Sequence, residues 1–178
     1  MRDNPKLLSL GNAFKAIEKE LKAREADIIK EASEQCMAYK LKGFHCSESS
    51  IRACSEALGL RLSEDVLRTA SGFRGGGGGY YDRCGILEAG CMIVSYLYGR
   101  LTPQQQIWDY SYLIRVLHER FEEEFGTIYC RDIIKKELEE GAVPVCMSTY
   151  ERGAAVVVRL ILDAPDLIAN IPEEEKDR

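Results

Sequence analysis

Hydrophobic and polar positions recur at helical spacing along almost the whole chain. Leu113, Ile114, Leu117, Phe121 and Phe125 make one face of a helix whose other face carries Arg120 and Glu122 to Glu124. Phe14, Ile17, Leu21, Ile28 and Ala32 keep the same period and predict a long first helix over roughly residues 6–42. The run AAVVVRLIL (154–162) is rich enough in valine to suggest a strand, but its length and its continuation through Asp163 predict a buried helix. Punctuation agrees with the periodicity. Gly43, Gly59, Gly72, Gly99, Gly126 and Gly141 each follow an amphipathic run, where helix C-termini use the left-handed conformation. Thr102-Pro103-Gln104-Gln105 reads as a capping box with proline at the first helical position, and Ser63-Glu64-Asp65 as a cap with an acidic first turn. No internal repeat is present. The pattern predicts an all-α fold, a single helical bundle of roughly seven helices with a long N-terminal helix. It divides into an N-terminal helical arm (1–31), a cysteine-bearing domain (32–168) and a disordered acidic tail (169–178).

Composition narrows what such a bundle can do. The chain has 178 residues, 46% apolar and 30% charged, enough for one substantial core. Its net charge of −5 argues against a nucleic-acid or anionic-membrane partner, both of which reward clustered Lys and Arg. No stretch approaches the roughly 18–20 apolar residues of a membrane span. The start, MRDNPKLLSLGNAFKAIEKE, lacks the apolar core and cleavage site of a signal peptide, so a cytoplasmic protein is expected. Arg24 and Glu31 interrupt the apolar stripe of the first helix, which argues against a sustained coiled coil, while its length, more than a compact bundle needs, suggests an arm that helps form a homodimer.

The cysteines change the picture most. There are seven, an odd count that leaves one thiol over in any full set of disulfides. Cys36, Cys54 and Cys91 fall inside helices, where small thiols pack as apolar residues. Cys46, Cys84, Cys130 and Cys146 each lie a few residues past a glycine, at the start of a new helix. Helix N-termini present unpaired N–H groups and partial positive charge, which favour thiolate. Four such starts, if they converge, would hold a reactive dithiol pair or a four-thiolate metal site. The gaps between them are too long for a zinc ribbon or a ferredoxin-type cysteine run. Cys84 and Cys91 are about 10 Å apart by helical rise, beyond disulfide reach, so any pairing is long-range.

Just before Cys84 stands GFRGGGGGYYDRCG, with Gly75, Gly76, Gly77, Gly78 and Gly79 in one run. It matches neither a P-loop nor a dinucleotide fingerprint. It is either a flexible connector or a place where bare backbone N–H groups face an anionic object beside Cys84 and Gly85. His118, among charged residues, reads as solvated, and His45, next to Cys46, as a base or a surface residue. There is no Ser-His-Asp order and no HExxH.

In their order and contexts these segments resemble the C_GCAxxG_C_C family, proteins described as redox-active. The family's first turn corresponds to Gly43-Phe44-His45-Cys46-Ser47-Glu48, and its glycine segment to Ala70-Ser71-Gly72-Phe73-Arg74-Gly75-Gly76. Its CGAxxG reads Cys84-Gly85-Ile86-Leu87-Glu88-Ala89, and its third cysteine context Phe125-Gly126-Thr127-Ile128-Tyr129-Cys130-Arg131, with Cys146 as the fourth. The resemblance spans roughly residues 32–162 and departs from the family at His45, Ile86 and Ala89. It implies a four-cysteine redox or metal centre, in its most specific form an iron–sulfur cluster held by Cys46, Cys84, Cys130 and Cys146.

Three expectations follow. The first is electron transfer or redox sensing with a redox partner protein through such a cluster, [2Fe–2S] favoured, with the glycine run and Gly85 lending N–H groups to its sulfurs. The second is a thiol–disulfide oxidoreductase using long-range cysteine pairs. The third is a non-catalytic, zinc-stabilised helical interaction module.

Overall fold

A computed structural model describes residue 17 and residues 19–176. Its regular structure is helical: α1 (Glu25–Leu41), α2 (Cys46–Ala57), α3 (Glu64–Thr69), α4 (Gly85–Tyr98), α5 (Trp108–Phe125), α6 (Cys130–Glu139) and α7 (Met147–Ala169), with 3-10 turns at Ala70–Phe73 and Glu173–Glu175. The expected all-α fold is what the structure shows. α2, α4 and α7 touch one another at the centre; α1 covers α7 and α2, and α5 covers α7 and α4.

The predicted amphipathic faces are the ones that pack. Leu113, Leu117, Phe121 and Phe125 of α5 are buried, as are Val156, Val157, Val158, Leu160, Ile161 and Leu162 of the valine-rich run, which lies in α7. Each fully buried Leu or Ile side chain contributes roughly 1.5–3 kcal/mol, so this shared core dominates stability. Gly126 ends α5 in the left-handed conformation (φ 77°). Gly99 is extended instead, and Gly72 lies inside the first 3-10 turn.

Two other expectations change. Residues 19–23 are helical, but the ladder is interrupted at Arg24 (φ −111°, ψ 17°), so the described first helix is Glu25–Leu41. Phe14 and the start of the expected 6–42 helix lie outside the described residues, as does most of the arm on which a homodimer was expected. α1 runs unbroken across 31–32, and Ile28 is buried in the same core as Ala32. The helix expected at Thr102 begins at Trp108. The Gln105 carboxamide oxygen does accept from the Thr102 N–H (3.1 Å) as a capping box requires, but it accepts from Leu101 as well, and the segment stays a turn. Ser63 caps α3 as expected, accepting from the Val66 N–H. In the acidic tail, Glu173–Glu175 form a turn tied to the bundle by the Arg115–Glu175 ion pair (2.6 Å). No helix among the described residues is long and apolar enough to cross a membrane.

Candidate redox or metal centre

Cys46 is the first residue of α2 and Cys130 the first of α6; Cys84 and Cys146 are the N-cap residues of α4 and α7. All four line one small cavity, closed by Ile86, Ile133, Thr149 and Tyr150. Its free volume, about 20 Å³, is room for roughly one water. Cys84 and Cys130 are buried and Cys46 and Cys146 half-buried. Cys36, Cys54 and Cys91 lie inside α1, α2 and α4, as their positions in sequence predict.

Three local devices bring the helix starts together. The segments leading into Cys84 and Cys130 are clasped as a short antiparallel pair: the Cys84 N–H donates to Ile128 O (2.8 Å), the Cys130 N–H to Asp82 O (2.6 Å) and the Arg131 N–H to Tyr81 O (3.2 Å). The start of α2 sits against the start of α4, where a Cβ on Gly85 would meet Cys46 Sγ and the Phe73 carbonyl oxygen, both at 2.7 Å. There the Ser47 hydroxyl also donates to Ala70 O (2.7 Å). The start of α7 is held by α6 through Glu137. That carboxylate accepts from the Cys146 N–H, the Ser148 hydroxyl (2.9 Å) and the Thr149 hydroxyl (2.5 Å).

The glycine run folds into a loop closed by its own hydrogen bonds. Gly75 to Gly79 all have positive φ, a succession that L side chains resist by about 1–2 kcal/mol per residue. The loop bonds to itself: the Gly77 N–H donates to Phe73 O (3.3 Å), Gly79 to Arg74 O (3.0 Å), and Asp82 to Gly76 O (3.0 Å). Gly77 and Gly79 therefore direct their N–H groups at carbonyls rather than at the cavity. The close approach to the cysteines is at Gly76, where a Cβ would meet Asp82 N at 2.5 Å, Tyr81 C at 2.8 Å and Cys130 Cβ at 2.9 Å.

Burial, not the helix ends, dominates the thiol electrostatics. Cys84 is pushed up by burial and by the neighbouring Cys46, while the Ile86 and Leu87 N–H groups pull it down. The helix-start effect has the expected sign and is outweighed. Burial and the neighbouring Cys46 raise Cys130 to about 11. Burial, then the Glu137 carboxylate, then Cys130 and Cys46 raise Cys146 to about 12. These are thiols that repel one another as anions. They are poor free nucleophiles, and a cation among them would relieve the repulsion. By donor chemistry the set fits a soft metal or an iron–sulfur cluster. The four do not close into a ligand shell as they stand: among the described residues, no three His, Cys, Asp or Glu side chains are gathered to hold an ion.

Sequence reasoning did not single out Tyr150, Thr149 or Glu137. Glu137 was accessible to it, because Cys130, Ile133 and Glu137 fall on one face of α6 and a carboxylate in an otherwise apolar stripe is a signal. His45 precedes α2, and its N–H donates to the Glu48 carboxylate (3.0 Å). His118 is half-buried rather than solvated, with its ring Nδ1 2.8 Å from the Ile114 carbonyl. At the departures from the motif, Ile86 packs against Gly153, where a Cβ would meet Ile86 Cγ2 at 2.8 Å. The tight glycine lies one position past Ala89, at Gly90, wedged against Leu117 and Val157 (2.8 Å each to a Cβ).

A family model described as "Putative redox-active protein (C_GCAxxG_C_C)" matches residues 44–160, from the turn before Cys46 into α7. No curated protein and no solved structure matches the chain.

Proposed function

The chain belongs to the C_GCAxxG_C_C family of redox-active proteins, and on that premise we propose that Cys46, Cys84, Cys130 and Cys146 together hold an iron–sulfur cluster used for electron transfer or redox sensing. The observation that carries this reading is the lining of a single cavity by all four helix-start cysteines, drawn from four different helices. The cluster supplies one-electron chemistry when bound. The chain's own groups do the rest. The four thiolates would ligate. Ile86, Ile133 and Tyr150 restrict water, and the Ile86 and Leu87 N–H groups, which already favour charge on Cys84 sulfur, would tune the potential. Gly76 and Gly85 let backbone approach Cys130 and Cys46 closely. A redox partner protein would exchange electrons at this end of the bundle.

One observation favours a second reading. A cavity of about 20 Å³ suits a single ion more readily than a multi-iron core. Zinc in that place would make the site structural, since zinc has no redox chemistry of its own. The thiol–disulfide alternative is weaker, because its attacking thiol needs a pKa near ambient pH and burial raises those of Cys84, Cys130 and Cys146. Anaerobic reconstitution with ferrous iron and sulfide separates these readings. Visible absorbance with iron and acid-labile sulfide in the folded protein is the expected result. Stoichiometric zinc retained in preference to iron would replace the first reading by the second.

A further inference from the structure

Cys146 is one of two non-glycine residues of positive φ among the described residues (φ 66°), a conformation unfavourable for a side-chain-bearing residue. It is also the N-cap of α7, yet no side-chain cap bond is made there. Something else must hold the turn. Glu137 is 7% exposed, and its two carboxylate oxygens are divided between partners at the start of α7. Oε2 accepts from the Cys146 N–H, and Oε1 from the Ser148 and Thr149 hydroxyls. Glu137 is itself fixed, since its main-chain carbonyl accepts from Ala142 N–H (2.8 Å) where α6 ends. A buried carboxylate has no reason to stand in this face of α6 unless those donors require it.

We infer that Glu137 is a positioning residue for the centre: its carboxylate ties the Cys146 N–H to the Ser148 and Thr149 hydroxyls of the first turn of α7 and locks the Cys146 backbone in the left-handed turn beside Cys130. α6 thereby carries one cysteine at its start and, seven residues on, the group that holds the next. The inference rests on Cys146 belonging to the centre, and it concerns how that cysteine is held rather than what is bound.

The test is the alkylation rate of Cys146 in metal-free protein, read by peptide mass spectrometry with half-buried Cys91 as internal reference. Glu137→Leu fills the space and removes every acceptor. Glu137→Gln keeps an acceptor for the Cys146 N–H and can donate to the two hydroxyls, whose oxygens also accept. Cys146 should react about tenfold faster in the leucine variant than in the glutamine variant, the size expected for leaving its backbone donor without an acceptor. Both variants remove the carboxylate charge that raises the Cys146 thiol, so positioning is read from the leucine variant against the glutamine variant, and Cys91 should be unchanged in both. Equal Cys146 rates in leucine variant and wild type, or equal rates in the leucine and glutamine variants, would overturn the inference. Should circular dichroism show the leucine variant unfolded, Thr149→Val serves instead. It removes one hydroxyl from Oε1 in a nearly isosteric change, and the expected rise is about threefold; no rise overturns the inference. Because the readout uses metal-free protein, failure of iron loading alone would sink the cluster and leave this result standing.

Discussion

The seven cysteines form two populations that differ in where they stand on their helices. At the helix starts, Cys46, Cys84, Cys130 and Cys146 meet at one cavity. In the helix interiors, Cys36 and Cys54 are fully buried and Cys91 is half-buried against the core. The same side chain acts as core filler in one place and as a candidate ligand in the other. A mid-helix side chain points at whatever its helix packs on, whereas a helix start can be turned by its preceding loop. Here the clasp before Cys84 and Cys130 and the Glu137 carboxylate of α6 hold the helix starts together.

The comparison breaks most visibly if backbone is moved at the cavity. Gly76→Ala should cost on the order of 3 kcal/mol and abolish cofactor retention, because the new methyl meets main chain at Asp82 and Tyr81 as well as Cys130 Cβ. Gly77→Ala meets nothing within 4 Å and should cost only about 1 kcal/mol of left-handed strain. Thermal unfolding of the two variants checks this, and equal losses would mean that the loop acts as a connector. In the interior region, Gly90→Ala presses on Leu117 and Val157 side chains, which can shift; about 1–3 kcal/mol of overpacking should appear with the cavity chemistry intact. Smaller still is Cys54→Ser, about 1 kcal/mol, since its sulfur has only the weak partners Ser50 Oγ and Ala154 O at 3.8 Å.

The smallest effect is on pH dependence, and it sharpens the contrast. Without metal, burial and the neighbouring Cys46 push the Cys130 thiol up to about 11, above its unfolded value. The stability it contributes is therefore complete below about pH 9 and lost as pH rises through 11. Cys91, raised to about 12 by burial and the Glu88 carboxylate, behaves similarly without metal. Metal loading should remove the Cys130 titration and leave that of Cys91, as followed by thiolate absorbance. Loss of both together would merge the two populations.

Much of this division was legible in the sequence, because glycine stops and apolar period locate helix ends and the four cysteines follow the stops. The all-α fold and the valine-rich α7 were legible for the same reason. The convergence was not, since it depends on the clasp between residues 81–84 and 128–131, segments that carry no local pairing signal. The sign of the thiol pKa shifts was misjudged as well. Local sequence shows a helix N-terminus but not the burial that outweighs it at Cys84. The helix expected at Thr102 failed because Gln105 satisfied the backbone donors of Leu101 and Thr102 as a turn.

The most direct test is iron and acid-labile sulfide per folded chain across the seven single Cys→Ser variants, reconstituted identically and without oxygen. The account predicts severe loss at Cys46, Cys84, Cys130 and Cys146, and wild-type content at Cys36, Cys54 and Cys91. Losses spread evenly over all seven, or concentrated in the helix interiors, would contradict it.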